Sequence, residues 1–175
     1  MNFLDHIQSR GPIDNIYHYM DIEQEILSFP IWAGKKLIGY QKYNWRADKT
    51  KNNDYKNGRY YTWVSEAYRN SYFYGSEYYR GQSTIYLVEG IWDAIRILNA
   101  GYCAFALLGS TPSKQTKGIF NMFWKCNLVA ICDNDGAKES ISRIADNRLY
   151  LPNEYKDCND MTQADFDKWI TLHQF

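Results

Sequence analysis

Uninterrupted apolar runs dominate the second half of the chain, at 84–88, 103–108 and 127–132, with a shorter one at 148–151. They do not alternate with polar residues, which suits parallel strands covered on both faces. The segments between them carry helical spacing. One runs over 91–100 and is closed by Gly101; another, 113–124, opens at Thr111-Pro112-Ser113; a third spans 137–146. Thr162-Gln-Ala-Asp165 reads as a capping box that starts a last helix reaching about His173. Strand–helix alternation of this kind predicts an α/β fold, a parallel sheet with right-handed crossovers and flanking helices.

The first half has a different rhythm. Residues 1 to 28 carry Ile13, Ile16, Tyr17 and Met20 at helical spacing, with Asp14 or Asp21 as caps, and Phe29-Pro30 is expected to stop that helix. Short strand-like pieces follow at 36–43, 59–64 and 72–74, separated by turns at Ala33-Gly34, Asn52-Asn53 and Asn57-Gly58. The expected organisation is a small mixed α+β subdomain over 1–80 and the α/β domain over 81–175.

Net charge is zero, so no global field announces a polyanionic partner. Its distribution says more. Lys35, Lys36, Lys42, Arg46, Lys49, Lys51, Lys56 and Arg59 face only Asp48 and Asp54 in one segment, whereas acids outnumber bases from Asp133 onward. Such asymmetry suits a chain that grips phosphate with one half and holds a cation with the other. Four scattered cysteines form no CxxC pair, and the three histidines add no metal-ligand spacing. There is no secretory leader pattern and no run of membrane length, so a soluble, cytoplasmic protein with reduced thiols is expected.

Carboxylates cluster where the apolar runs end. Glu89 follows the first run, with Gly90 beside it and Asp93 one helical turn on; Asp133 and Asp135 follow 127–132. Ligands of open α/β sheets bind just beyond such strand ends. Several carboxylates on one rim repel each other unless a divalent cation lies between them, and hard oxygen ligands point to magnesium. Period-two spacing lets Asp133 and Asp135 point the same way.

Glu-Gly after an apolar strand, Asp four residues after the Glu, and a distant Asp-x-Asp after another strand together resemble the TOPRIM domain. Ala106-Leu-Leu-Gly-Ser110 is similar to the turn after that family's second strand. Lys156-Asp-Cys-Asn-Asp-Met161 resembles a segment of phage primase–helicases. Phe29-Pro-Ile31, Gly39-Tyr40, Arg59-Tyr-Tyr61 and Tyr74-Gly75 follow the order of landmarks in bacterial replicative primase cores. The resemblance covers roughly residues 25 to 161. One departure is Lys138, where primases carry a glycine after Asp-x-Asp.

The resemblance implies a primase catalytic core making short RNA primers on single-stranded DNA from ribonucleoside triphosphates. Glu89, Asp133 and Asp135 would be catalytic. With Asp93 and Asp157 they would hold Mg2+ or Mn2+, two ions in all. Arg59 and Arg69 would bind triphosphate or primer phosphates, with Lys42 and Arg46 along the strand path. A zinc-binding template reader and a helicase would be separate proteins, as in a phage or mobile-element system, and a phage origin would place the protein in the host cytoplasm. The rival readings are a TOPRIM nuclease, which turns the same acids on water, and a non-catalytic nucleic-acid-binding protein. Eight tyrosines between Tyr55 and Tyr79 offer faces for base stacking or for a half-buried sheet.

Overall fold

Continuous apolar runs in the second half of the chain set the architecture. In the computed structural model, which describes residues 1–48, 50–51, 53–109, 112–134 and 141–173, the strands β5 (Thr84–Val88), β6 (Ala104–Ala106), β7 (Asn127–Cys132) and β8 (Asn147–Tyr150) form a parallel sheet in the order β6-β5-β7-β8. Tyr86, Val88, Ala104, Ala106, Val129, Ile131 and Leu149 point to one face; Ile85, Leu87, Phe105, Leu128, Ala130 and Cys132 point to the other. Both faces are buried, as the continuous apolar runs require. Helix α2 (Ile91–Asn99) and helix α4 (Gln163–Leu172) cover the first face; α3 (Lys114–Phe120) covers the second. Thr162 caps α4 by accepting from the Asp165 amide. Gly101 takes φ +87°, the left-handed conformation that ends α2.

The first half forms an antiparallel sheet, β1 (Tyr19–Asp21), β2 (Ile26–Ala33), β3 (Lys36–Asn44) and β4 (Tyr60–Val64), in sequential order. Its inner face presents Leu27, Phe29 and Tyr43 to the same apolar core that holds Tyr86, Val88 and Trp92. Trp92 is the joint. It is fully buried and meets Phe29 edge-on at 5.5 Å and Tyr43 at 5.4 Å, geometry favoured by the ring quadrupoles.

Several expectations are corrected. The N-terminal helix is only α1 (Phe3–Arg10), capped by Asn2 and ended at Gly11. Ile13 and Ile16 are buried from an irregular segment, and Met20 lies in β1. Pro30 stops nothing: it lies inside β2, beyond the last residue paired with β1, where no second neighbour asks for its missing N–H. Residues 72–74 contribute a single bridge, Tyr74 to Ala106. There Gly75, at φ +105°, lets the chain press against β6, since a Cβ would stand 2.2 Å from the Ala104 carbonyl oxygen. Helix 113–124 is shorter, α3 followed by a 3-10 turn at Asn121–Phe123. Of the expected helix 137–146, residues 137–140 lie outside the described residues, and Ile141–Arg143 form a 3-10 turn. All four cysteines are free and buried.

Glu77 follows Gly75 in a 3-10 turn, and neither of its carboxylate oxygens has a hydrogen-bond partner among the described residues. Burial pushes its carboxyl from the ordinary 4.5 up to about 7. Between those two values the unfolded chain has released this proton and the folded chain keeps it, so folding stability falls as pH rises through the window. Glu77→Gln should therefore match the native protein at pH 4 and exceed it above pH 7, by roughly 3 kcal/mol or less. Urea melts at the two pH values read this difference; equal stabilities at both would refute the assignment.

Candidate functional site

The connection order places a crevice at the carboxyl ends of β5 and β7. From β5 the chain crosses to β6 on one side, then returns to place β7 on the other. That reversal opens the rim between the two strands. Glu89 leaves β5 and Asp133 leaves β7, and both line one cleft of about 330 Å³ with Gly90 and Asp93. The antiparallel sheet supplies the opposite wall, with Gln41, Tyr60 and Thr62, while Asn53 and Leu108 complete it.

Backbone contacts fix the acids. The Leu108 N–H donates to the Glu89 carbonyl at 3.0 Å, and the Leu107 N–H donates to Val88 at 2.9 Å. Leu108 does this at φ +55°, a left-handed conformation costly for a branched side chain and typical of functional rims. Asp93, only 6% exposed, sits in the first turn of α2, where the helix dipole favours a carboxylate. Gly90 gives it room: a Cβ there would stand 2.6 Å from Asp93 Oδ2, and the carboxylate would have to shift. Burial, then Asp133 and Asp157, push the Asp93 carboxyl well above the usual range; Arg10 and the Asn159 amide pull it back.

Asp157 plays a supporting part. Its Oδ1 accepts from the backbone N–H groups of Asn159 (2.9 Å) and Asp160 (3.2 Å), capping a 3-10 turn at Cys158–Asp160. That turn presents Asn159, whose Nδ2 donates to Asp93 Oδ1 at 2.8 Å. Asp135 lies outside the described residues. Among the described residues, no three acidic, histidine or cysteine side chains converge closely enough to hold a metal ion by themselves.

The four expected cations separate. Arg69 is exposed and borders a second depression of about 270 Å³ that shares Gly109 with the acidic cleft. Arg59 donates from Nε to the Ala47 carbonyl at 2.7 Å, tying down the β3–β4 loop. Arg46 pairs with Glu25 at 2.5 Å. Lys42 alternates away from Gln41, donates to the Tyr55 carbonyl and stands over the Tyr55 ring at 4.3 Å, on the far side of the sheet. Gln41, Asn53 and Thr62 escaped the sequence reading because uncharged residues on a strand or turn carry no chemical signature, and Tyr60 stood there only as one of eight tyrosines. Gln41 Nε2 donates to Thr62 Oγ1 at 2.9 Å, which occupies an acceptor site of the hydroxyl and leaves its proton to donate.

Asn134, between the two aspartates, also went unnoticed. Its Nδ2 donates to the carbonyls of Leu151 (3.2 Å), Pro152 (3.1 Å) and Tyr155 (2.8 Å), and its backbone N–H to Lys156 (2.8 Å). This one side chain sews the loop after β8 to the end of β7. Asn134→Ala should cost about 1–3 kcal/mol through unsatisfied carbonyls. Asn134→Asp should cost more, because an acceptor would then face acceptors. Thermal melts of both variants give the order; an aspartate at least as stable as alanine would contradict it.

No family profile and no curated protein matches the sequence. Solved structures do match in fold. The Aquifex aeolicus primase, comprising zinc-binding and RNA polymerase domains, superposes with a TM-score of 0.65 at 18% identity, covering 83% of this chain and 38% of that one. A DnaG primase catalytic domain bound to single-stranded DNA gives 0.65 at 15% identity, covering 89% and 56%. The primase fragment of the bacteriophage T7 primase–helicase gives 0.63 at 15%, covering 84% and 62%. The chain spans between about two fifths and three fifths of these structures. With a parallel sheet, flanking helices and an antiparallel sheet against the rim, this chain has the fold of the primase catalytic core.

Proposed function

We propose that the chain is the catalytic core of a DNA primase, joining ribonucleotides into short primers on single-stranded DNA. The observation that carries this reading is the cleft itself: Glu89, Asp93 and Asp133 on one side, and an uncharged donor wall from a second sheet on the other. A nuclease needs only the acids and water. A wall of Gln41, Tyr60 and Thr62 supports holding a nucleotide beside them. In this reading residues 1–80 serve as the substrate-gripping subdomain and 81–175 as the TOPRIM domain.

The donor set suits a divalent cation. Asp133 and Asp157 both raise the Asp93 carboxyl by like-charge repulsion, which a cation offsets. Magnesium keeps several waters and takes one or two carboxylates plus substrate phosphates, so a complete protein cage is not needed. Glu89 and Asp133 would hold it, with Asp135 as the expected further ligand and a second ion expected beside the first. When bound, such ions acidify the attacking hydroxyl and balance the charge of the leaving pyrophosphate.

The chain's own groups do the rest. Arg69, which lines the neighbouring depression that shares Gly109, would meet the triphosphate; an arginine fork suits phosphate oxygens. Thr62, oriented by Gln41, offers its hydroxyl proton to a nucleotide oxygen. Asp93 is a positioning residue, buried and tied by Asn159, and it holds the start of α2 against Gly90. The T7 relative is named as a primase–helicase and the DnaG relative as bound to single-stranded DNA. A single-stranded template, and work beside a helicase and a zinc-binding template reader, accordingly belong to this proposal, as does work in the cytoplasm. No described helix is long and apolar enough to cross a membrane.

Protein supplied with ribonucleotides, Mg2+ or Mn2+ and a panel of single-stranded DNAs should yield short oligoribonucleotides and leave labelled template intact. Asp133→Asn should lower synthesis by about a hundredfold or more, the scale expected when a group acting on the transition-state charge is lost. Cleavage without synthesis, or an active Asp133→Asn enzyme, would overturn the assignment. Arg69→Ala should raise the KM for ribonucleotide more than it lowers kcat, because a ground-state phosphate contact is removed. Steady-state kinetics separate the two, and an unchanged KM would remove Arg69 from the site.

A further inference from the structure

The edge strand β4 has two working faces. Tyr60 and Thr62 look into the cleft. Alternation sends Tyr61 and Trp63 to the opposite face, where they lie across from Lys42 and Tyr40 of β3. There the rings form a connected surface. Tyr40 stacks on Trp63 at 5.9 Å and an interplanar angle of 25°, and reaches Tyr61 at 6.5 Å. Tyr55, from the β3–β4 loop, meets Tyr61 edge-on at 5.2 Å. Tyr55 and Trp63 are 57% and 47% exposed, so large ring faces remain open to solvent.

The charge around these rings is mainly positive. The segment from Lys35 to Arg59 carries eight bases and two acids. Both acids are engaged in turns: Asp48 accepts from the Thr50 amide, and Asp54 from the amides of Lys56 and Asn57. Lys51 and Lys56 are exposed on the same loop. Protein-binding patches are depleted in lysine, whereas aromatic faces set among lysines suit unpaired bases joined by phosphates. A duplex has its bases stacked on each other and cannot use such faces.

We propose that the outer face of β3 and β4 is a second binding surface, a platform for single-stranded nucleic acid separate from the cleft. Unpaired bases stack on Tyr55, Tyr61 and Trp63, and Lys51 and Lys56 meet the phosphates. A strand leaving the cleft past Tyr60 and Thr62 crosses only the edge strand to reach it. The source of that strand rests on the priming reading; the platform binds unpaired DNA whether or not the chain primes.

The test uses labelled oligothymidylates of increasing length, titrated against the whole protein. Tyr61→Ala with Trp63→Ala should weaken binding of the longer strands by about tenfold or more, the scale of losing one or two stacked bases. Tyr61→Phe with Trp63→Phe should bind as native, and the salt slope should be unchanged in both because the phosphate contacts remain. Photo-crosslinking of the native protein to thymidylate, read by peptide mapping, covers the case in which the alanine variant does not fold; adducts should fall on 55–63. Native affinity in a folded alanine variant, or adducts elsewhere, would overturn the platform. So would a native protein that self-associates through these residues, or captures a protein partner there, without binding DNA. Asp133→Asn separates this from the priming reading: it should abolish synthesis and leave this binding intact.

Discussion

A carboxylate removed from water must be held from several sides, and Asp93 is held from all of them. Its helix offers a favourable dipole, Gly90 gives up a side chain to make room, and Asn159 donates an amide hydrogen. Arg10, on α1, tempers the charge and also lies 5.2 Å over the Trp92 ring. The same helical turn therefore sends Trp92 into the joint between the sheets and Asp93 into the cleft. Shifting either moves the other. This turn thus links the acidic rim to the joint between the sheets.

Around that turn, the rim is assembled from backbone pins more than from long side chains. Leu108 accepts an unfavourable conformation and donates its N–H to the Glu89 carbonyl. Asn134 shares its two amide hydrogens among three carbonyls of a neighbouring loop. Asp157 uses its carboxylate on two amides of the turn that carries Asn159. Electrostatic catalysis depends on groups that do not reorganise when charge develops. Short links of this kind provide that rigidity at little cost in ordered side chains.

Legibility followed the physics of each segment. The parallel strands, α2 and the capped α4 could be read because burial on both faces demands unbroken apolar runs, and because Thr162 and Gly101 mark helix ends by local chemistry. Residues 13–20 misled because Ile13, Ile16 and Met20 fit helical spacing while in fact filling a core from a loop and an edge strand. Pro30 misled because it lies past the end of the β1 pairing, where β2 has one neighbour and a missing donor is tolerated. At the rim, charged residues announced themselves and neutral ones did not, so Glu89, Asp93 and Asp133 were expected where they line the cleft, while Gln41, Thr62 and Asn134 drew no expectation. Lys42 shows the converse limit. A lysine in a basic run reads as a phosphate ligand, yet strand alternation turns it from the cleft and buries it among tyrosines.

The joint at Trp92 also orders the events of folding. A nascent chain makes the antiparallel strands first, and their inner face, Leu27, Phe29 and Tyr43, then has nothing to bury against until residues near 92 and the parallel strands emerge. The segment after α1 waits as well, since the Asn99 side-chain amide donates to the Pro12 carbonyl at 2.8 Å across 87 positions of sequence. Long-range closure of this kind is slow, and an apolar sheet face left bare in the meantime is prone to aggregation. The half-made protein is thus the vulnerable form, a direct cost of building the cleft between two sheets that share one core.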